Sequence, residues 1–322
     1  MNLQESKKIE KFVKDILKKY LPKNEPIIVG ISGGADSVFL FEMLKDYQIV
    51  IAHVNHCLRA KESEKDQIFV AKLAKDHPFE LLKKDIKAQS KLQKSGLEET
   101  GRKIRYEFFE KLAKKHHSNF ILTAHHADDN AETIILNMAR GAGLKGLSGM
   151  QEIEDYKKFK LLRPLLNINK QYIKNYLKLK KISFREDQSN NDKTYTRNFI
   201  RHEIIPLLKK INPNLTSTIA KNAKILRETN DFLEQKAQQW IDKNFKNHNF
   251  DAKKFRNLSP VIQKTVLTQI YKKLTNNTKN LEAKHFEEVL ALINNNIGNK
   301  QKKFGKLLLE IKNNTVKVNV AK

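Results

Sequence analysis

Apolar residues recur along this chain in two rhythms. Ile9, Phe12, Val13, Ile16, Leu17 and Tyr20 fall three or four positions apart, which places them on one face of an opening amphipathic helix. Short apolar runs follow at 27–31, 49–54, 79–83 and 119–124, and each reads as a strand. Helical patterns at 37–46, 61–76, 98–116 and 130–139 lie between or after them. This alternation predicts an α/β fold, a parallel sheet with helices on both faces. Sheets of that kind bind ligands beyond the carboxyl ends of their strands, near the point where strand order reverses.

Beyond residue 140 the pattern changes. RGAGLKGLSGM, at 140–150, holds four of the eleven glycines and predicts a mobile loop. A helical stretch at 169–181 leads to a polar passage at 185–208, and a helix-like run from 215 to 245 reads as a linker. Helices near 259–274 and 281–294 come next, and two alternating strands about Asn313–Asn314 predict a hairpin, because Asn tolerates the positive φ of a tight turn. We therefore expect two domains, 1–214 and 215–322, the second small and α+β.

Charge adds a partner to this picture. The chain carries 62 Lys and Arg against 36 Asp and Glu, a net charge of +26, and from 215 onward the counts are 21 and 9. Such an excess favours a polyanion, most simply nucleic acid. Lysine bias of the kind an AT-rich genome produces shares the credit, with 52 Lys against 10 Arg. That bias makes each arginine informative, since a retained guanidinium suggests a need for planar, multi-donor geometry. Eight of the ten, at 59, 102, 105, 140, 163, 185, 197 and 201, lie mid-chain.

No run approaches the roughly 20 apolar residues of a membrane helix, and the first twenty positions lack the apolar core of a signal peptide, which predicts a cytoplasmic protein with no membrane partner. Cys57 is the only cysteine, which excludes an intrachain disulfide, a Cys-x-x-Cys pair and a cysteine-ligated cluster. Oligomeric state has no signature here; a homodimer is compatible with the sequence.

The candidate chemistry begins where the first strand ends, in Ser32-Gly33-Gly34-Ala35-Asp36-Ser37. Two adjacent glycines admit positive φ, so that successive N–H groups face an anion, and the helix that follows adds the positive end of its dipole. Ser32 and Ser37 supply hydroxyls. The turn lacks the Gly-Lys-Ser/Thr ending of the kinase-type phosphate loop and resembles the pyrophosphate loop of ATP pyrophosphatases, which transfer AMP and release pyrophosphate. Asp129 and Glu132, at i and i+3, share one face of a helix, and Arg102 and Arg105 share another. His125 and His126 end the fourth strand, where an imidazole could stabilise an oxyanion or accept a proton.

Taken in order, SGGADS at 32–37, HVNHCLR at 53–59, RKIRYEFF at 102–109, TAHHADDNAET at 123–133, RGAGLKGLSGM at 140–150, RPLL at 163–166 and DQSNNDKTYTRNFIR at 187–201 resemble the tRNA(Ile)-lysidine synthase family in its shorter two-domain form. The resemblance implies an adenine nucleotide alpha hydrolase-like fold and a two-step reaction with ATP and Mg²⁺. ATP adenylates the C2 oxygen of the wobble cytidine in an isoleucine tRNA with a CAU anticodon, and free L-lysine then displaces AMP.

On that resemblance residues 32–37 bind ATP, Asp36 holds the metal, and Asp36, Arg105 and His125 are catalytic. Asp129 and Glu132 bind lysine, and Arg197 and Arg201, with Asn198 between, contact the tRNA. Plainer readings stand beside these. Asp36 suits a helix N-cap, Asp128, Asp129 and Glu132 suit a helix N-terminus electrostatically, and Arg197 and Arg201 suit an internal ion-pair network. His53, Asn55 and His56 are expected to shape the site. Cys57 stands where the motif more often has glycine and reads as a tolerated variation.

A tRNA thiolation enzyme would share the loop but generally needs paired cysteines or a cluster. An NAD or GMP synthetase would share SGGADS without DDNAET or the basic tail. A non-catalytic nucleotide sensor would bind ATP without releasing pyrophosphate.

Overall fold

The computed structural model describes residues 3–58, 60–186, 196–276, 281–295 and 300–321. Arg59 and the stretch DQSNNDKTY at 187–195, both part of the motifs above, lie outside the described residues. By compactness the chain divides into Met1–Ala223 and Lys224–Lys322.

The first unit opens with helix α1 (Leu3–Tyr20), which buries Val13, Ile16 and Leu17 as its periodicity predicts. Strands β1 (Ile27–Gly30), β2 (Ile49–Asn55), β3 (Phe79–Lys83), β4 (Phe120–Leu122), β5 (Ile153–Tyr156) and β6 (Phe159–Leu162) form one sheet in the order β3-β2-β1-β4-β6-β5. All neighbours are parallel except β5 and β6. Helices α2 (Ala35–Met43), α3 (Ala60–Ala74), α4 (Ile86–Gln93) and α5 (Leu97–Lys115) connect the first four strands, and α6 (Ala127–Ala139) follows β4.

The sequence reading missed several elements here, the β5–β6 hairpin and helix α4 among them. The β5–β6 hairpin adds an antiparallel edge, and its turn places Lys157 at φ +56. Helix α4 is announced only by Asp85, whose carboxylate accepts from the Lys87 and Ala88 N–H groups at 2.8 and 3.2 Å.

Residues 27–29 are fully buried, because helices cover both faces of this central strand. Strand order reverses between β1 and β4, whose carboxyl ends lead into 32–37 and 123–129. The expected loop at 140–150 makes hydrogen bonds to α6. It holds a short helix α7 (Leu144–Leu147), Asn137 Nδ2 donates to the Gly146 carbonyl at 2.8 Å, and the Met150 N–H donates to Asn130 Oδ1 at 2.8 Å. Helices α8 (Lys170–Leu179), α9 (Thr196–Phe199), a π-helical turn at Ile200–Ile204 and α10 (Ile205–Ile211) follow.

Helix α11 (Leu215–Asn244) contains the division between the units. In the second unit β7 (Asn249–Asp251), β8 (Lys300–Phe304), β9 (Leu307–Lys312) and β10 (Thr315–Val320) form an antiparallel sheet in the order β7-β10-β9-β8. The hairpin turns on Asn313 and Asn314 at φ +49 and +58, as their residue type predicts. Helices α12 (Ala252–Arg256), α13 (Pro260–Thr275) and α14 (Ala283–Asn294) complete the unit. Val266, Ile270, Tyr271, Val289 and Ile293 on the last two pack with Leu309, Ile311, Val316 and Val318 of the sheet in one core. No described helix is long and apolar enough to cross a membrane.

Candidate active site

The loop after β1 is organised by Ser37. Its Oγ accepts from the Ser32 and Gly33 N–H groups at 3.2 and 3.1 Å and donates to the Gly34 carbonyl at 2.9 Å. Only one of the two glycines has positive φ, contrary to the expectation for both. Gly33 lies at +90, where a Cβ would also press on Val70 and Phe69, whereas Gly34 is extended at φ −72. Gly34 is the N-cap of α2 and offers no side-chain cap. The first α2 N–H groups, from Ala35 onward, precede the first intrahelical bond, Val38 N–H to the Gly34 carbonyl at 3.0 Å, and so present an anion site.

Asp36 lies beyond that cap. Its Oδ2 is 3.5 Å from His126 Nε2 and 3.8 Å from Lys170 Nζ, and its Oδ1 is buried with no hydrogen-bond partner among the described residues. Burial would raise the carboxyl, but His126, Lys170 and Arg201 together hold it below its ordinary value. No group of three or more potential ligand side chains surrounds it among the described residues. Magnesium held by one carboxylate and substrate phosphates needs no such cage, so an orphaned, ionised Asp36 oxygen beside a phosphate cradle fits the ion.

The two histidines separate in role. His126 is 1% exposed and caps α6: its N–H donates to Asp129 Oδ2 at 3.0 Å, and its Nδ1 accepts from the Asp129 N–H at 3.3 Å. The accepting Nδ1 leaves the ring proton on Nε2, which faces Asp36 and Asp129 at 3.5 and 3.4 Å. Burial lowers this imidazole, but the two carboxylates outweigh it and raise it above the ordinary value. His125 instead shares a hydrogen bond of 2.8 Å with Thr123 Oγ1. Burial, with Arg163, Arg102 and Arg105 nearby, pushes it down to about 3 against the pull of Asp129, so it is neutral at pH 7.

The two carboxylates expected to bind lysine differ in access. Asp129 lines both cavities at the strand ends, whereas Glu132 is 1% exposed and lines neither. Both Glu132 oxygens are taken by Arg201, whose Nε and Nη2 donate at 2.6 and 2.9 Å, and Nη2 also reaches Asp129 Oδ1 at 3.3 Å. Burial pushes Glu132 above the usual carboxylate range, and the Arg201 pair offsets part of that shift. Arg197 is similarly engaged, with Glu98 at 2.8 Å and Thr133 at 3.1 Å. Of the two arginines expected at the tRNA, Arg201 pairs with the α6 carboxylates and Arg197 links Glu98 of α5 to Thr133 of α6, the ion-pair arrangement weighed beside that expectation. A π turn carrying Arg201 fits a functional site, where such irregularities concentrate.

The larger cavity, about 690 Å³, runs from Ser32, Gly34 and Asp36 past His53, Asn55 and His56 to Asp66, Lys170 and Arg185. A smaller one, about 310 Å³, joins Ser37, Arg105, His125, Asp129 and Arg197. Arg105 faces it with no carboxylate partner among the described residues, and burial lowers its guanidinium. His53 and Asn55 shape the walls: His53 Nδ1 shares a hydrogen bond with the Ile31 carbonyl at 2.8 Å, and Asn55 Nδ2 donates to Ser63 O and Gln67 Oε1. His56, pushed down to about 4 by burial beside Arg105 and His53, is an uncharged wall. Asn169 caps α8, accepting from the Gln171 N–H at 2.8 Å, and Asp128 accepts from the Lys170 N–H at 2.9 Å. Arg163, 1% exposed, is spent on Glu154 and the Gln151 carbonyl. Arg102 is exposed and stacks on Tyr106 at 4.8 Å.

Lys170 and Asp66 carry no motif and were missed. Arg185, noted only as a scarce arginine, ties its N–H to the Gly33 carbonyl at 2.9 Å and its guanidinium to Asp66 and Glu62 at 2.9 and 2.8 Å. Cys57 sits at φ +53, the left-handed region that explains a glycine preference at this position. Cys57→Gly should therefore keep full activity and change stability by less than about 1 kcal/mol, read by thermal melting, because relief of the left-handed side chain opposes the added chain entropy.

The chain is similar to several known proteins. A family model described as the PP-loop domain matches residues 1–208. The chain is 38% identical over 241 residues to the tRNA(Ile)-lysidine synthase of Petrotoga mobilis, covering 72% of this chain and 75% of that protein. It is 33% identical over 307 residues to that of Caldanaerobacter subterraneus, covering 91% and 65%. Against the Geobacter sulfurreducens protein of the same name, 38% identity over 220 residues covers 66% and 46%, so the chain spans about half the length of that relative. Among solved structures, the U34-tRNA thiolase NcsA from Methanococcus maripaludis with its [4Fe-4S] cluster superposes with a TM-score of 0.58 over 69% of this chain and 78% of that one, at 17% identity, a likeness of fold alone. With a nucleotide-type loop at the β1–β4 switch point and relatives matched along most of its length, the chain belongs to the tRNA(Ile)-lysidine synthase family of PP-loop proteins.

Proposed function

We propose that this protein ligates free L-lysine to C2 of the wobble cytidine in an isoleucine tRNA with a CAU anticodon, consuming ATP and changing codon specificity from AUG to AUA and amino-acid identity from methionine to isoleucine. The observation that carries this reading is the meeting of the uncapped α2 terminus, Asp36 and Asp129 at the β1–β4 switch point, with Arg105 and His125 across the adjoining cavity.

The C2 oxygen attacks the α-phosphorus of ATP, and the bond to pyrophosphate breaks. The lysine ε-amine then attacks C2, AMP leaves with the oxygen, and the amine gives up a proton. Ser32, Gly33, Gly34, Ala35 and Ser37 cradle the phosphates, with α2 supplying N–H donors. Asp36 would hold Mg²⁺, which when bound neutralises charge on the phosphate oxygens. Arg105, which faces the cavity with no carboxylate ion pair among the described residues, would meet the anion that forms, and His125 meets the C2 oxygen or the amine as an uncharged hydrogen-bonding group.

Asp129 takes the lysine ammonium, and Glu132 acts through Arg201 as a positioning residue. A tRNA phosphate would reach Arg197 or Arg201 only by exchanging with their carboxylates. Residues 1–214 form the adenylation domain in this reading, and the basic 215–322 segment grips the tRNA through phosphates.

The test is incorporation of labelled lysine into that isoleucine tRNA transcript, with a methionine tRNA transcript as control. Incorporation confined to the isoleucine transcript supports the proposal, and none with ATP bound overturns it. Asp129→Asn should raise the KM for lysine about 10- to 100-fold, the loss of one charge-assisted contact, with the KM for ATP within about threefold. Equal losses of both would remove Asp129 from the lysine site.

A further inference from the structure

The second unit carries an open apolar cleft of about 510 Å³ that the reaction does not use. One wall is a face of α11, where Phe232, Lys236, Trp240 and Lys243 recur at four, four and three positions, and the other is Leu258, Ser259 and Ile262 before and within α13. Phe232 is 56% exposed, and Lys236 Nζ stands 5.4 Å over its ring. Trp240 is half-buried, its indole set edge-on against Phe250 and Phe255 at 5.6 and 5.7 Å, which fixes it. The two lysines are exposed, no carboxylate lines the cleft among the described residues, and residues 224–322 carry 20 Lys and Arg against 9 Asp and Glu.

An exposed aromatic surface bracketed by cations has a specific chemistry. Aromatic faces stack on bases, and the flanking ammonium groups neutralise the phosphates on either side. The volume is within the roughly 300–1,000 Å³ of small-molecule pockets. An apolar peptide would gain nothing from the lysines, and a duplex offers no free base face to the rings. We propose that this cleft receives an unstacked base of the substrate RNA, laid against the aromatic surface that Phe232 and Trp240 present, with its phosphates on Lys236 and Lys243. The inference rests on the tRNA reading above for the identity of the RNA.

Trp240 is the chain's only tryptophan, so the intact protein reports on this cleft by its own fluorescence. Titration with the isoleucine tRNA transcript should quench Trp240 along the same curve as filter binding. Heparin, which offers sulfates without bases, should bind without quenching. Phe232→Ala should weaken tRNA binding about 5- to 100-fold, the value of one stacked base, with its fold checked by thermal melting. Lys236→Ala with Lys243→Ala should lower the slope of log affinity against log salt by about two.

Unchanged Trp240 emission at saturating tRNA overturns the proposal, as does equal quenching by heparin. Emission that shifts with protein concentration in the absence of RNA overturns it too, since the cleft then takes a second copy of this chain. Lysine incorporation is scored separately. Incorporation with a silent Trp240 removes the cleft alone, and quenching without incorporation removes the reaction alone.

Discussion

Arg201→Met is expected to destabilise the N-terminal unit by about 3 kcal/mol at neutral pH, the low end of the cost of breaking a buried ion pair. The substitution keeps the packing of the stem and removes the charge. Glu132, at 1% exposure, is then a buried carboxylate with Asp129 beside it and no cation on either oxygen. For a unit of this size each kcal/mol moves Tm by about 2–4 °C, so the fall is large enough to read by calorimetry.

The sign of its pH dependence follows from Glu132. Burial holds this carboxyl above its unfolded value, and removing Arg201 raises it further. A raised carboxyl contributes stability that is fully present below the unfolded pKa and is lost as pH rises through the folded one. The variant should therefore lie nearest the parent protein around pH 4 and furthest from it at pH 7–8. Adding Glu132→Gln should recover most of the loss, a coupling read by a double-mutant cycle. A deficit independent of pH between 4 and 8 would place its origin in packing.

Asp36→Asn is expected to abolish measurable turnover, a fall of about 10³-fold or more, the scale of a lost electrostatic stabiliser in a closed site. Asn keeps the volume and a hydrogen-bonding oxygen but not the charge that the loop, Lys170 and His126 surround. Two readouts accompany the rate. Pyrophosphate release should vanish with AMP transfer, and the His126 imidazole should titrate lower, since Asp36 is one of the two carboxylates that raise it. Stability should change by about 1 kcal/mol, because one charge-assisted contact is replaced by a neutral one. Turnover within tenfold of the parent would remove Asp36 from the phosphate site.

The depth of legibility differs between elements, for physical reasons. Strands β1 and β2 were legible because central parallel strands are buried on both faces and need unbroken apolar runs. The Asn313–Asn314 turn was legible because two consecutive residues at positive φ restrict residue type. Strands β7 and β8 were not. One is three residues long, and the other, KQKKF, buries only Phe304 among the residues it contributes to the sheet. Hairpin β5–β6 is short and sits at a sheet edge, where alternation is weak.

In the site, SGGADS, Asp129 and His125 were legible as types at strand ends, but their states were not. Which glycine turns, which histidine is neutral and which carboxylate faces solvent depend on groups brought from elsewhere in the chain. The i, i+3 spacing of Glu132 with Asp129 is local information and shows a shared helix face, and the resemblance alone made Glu132 a lysine contact. Its partner Arg201 lies 69 positions away. Lys170 reaches Asp36 from a helix of a different part of the sheet, and Arg185 closes on Gly33 from beyond it.

By itself the sequence determined the fold class, the anion-binding turn and the family, because these rest on short-range constraints: periodicity of burial, φ at glycine, and residue type at the end of a strand. The strand order, the buried Arg201–Glu132 pair, the neutrality of His125 and the lysine-bracketed cleft at Trp240 were decided only by the tertiary structure. Each depends on desolvation and on charges brought together across distant segments, quantities that no local window of residues contains.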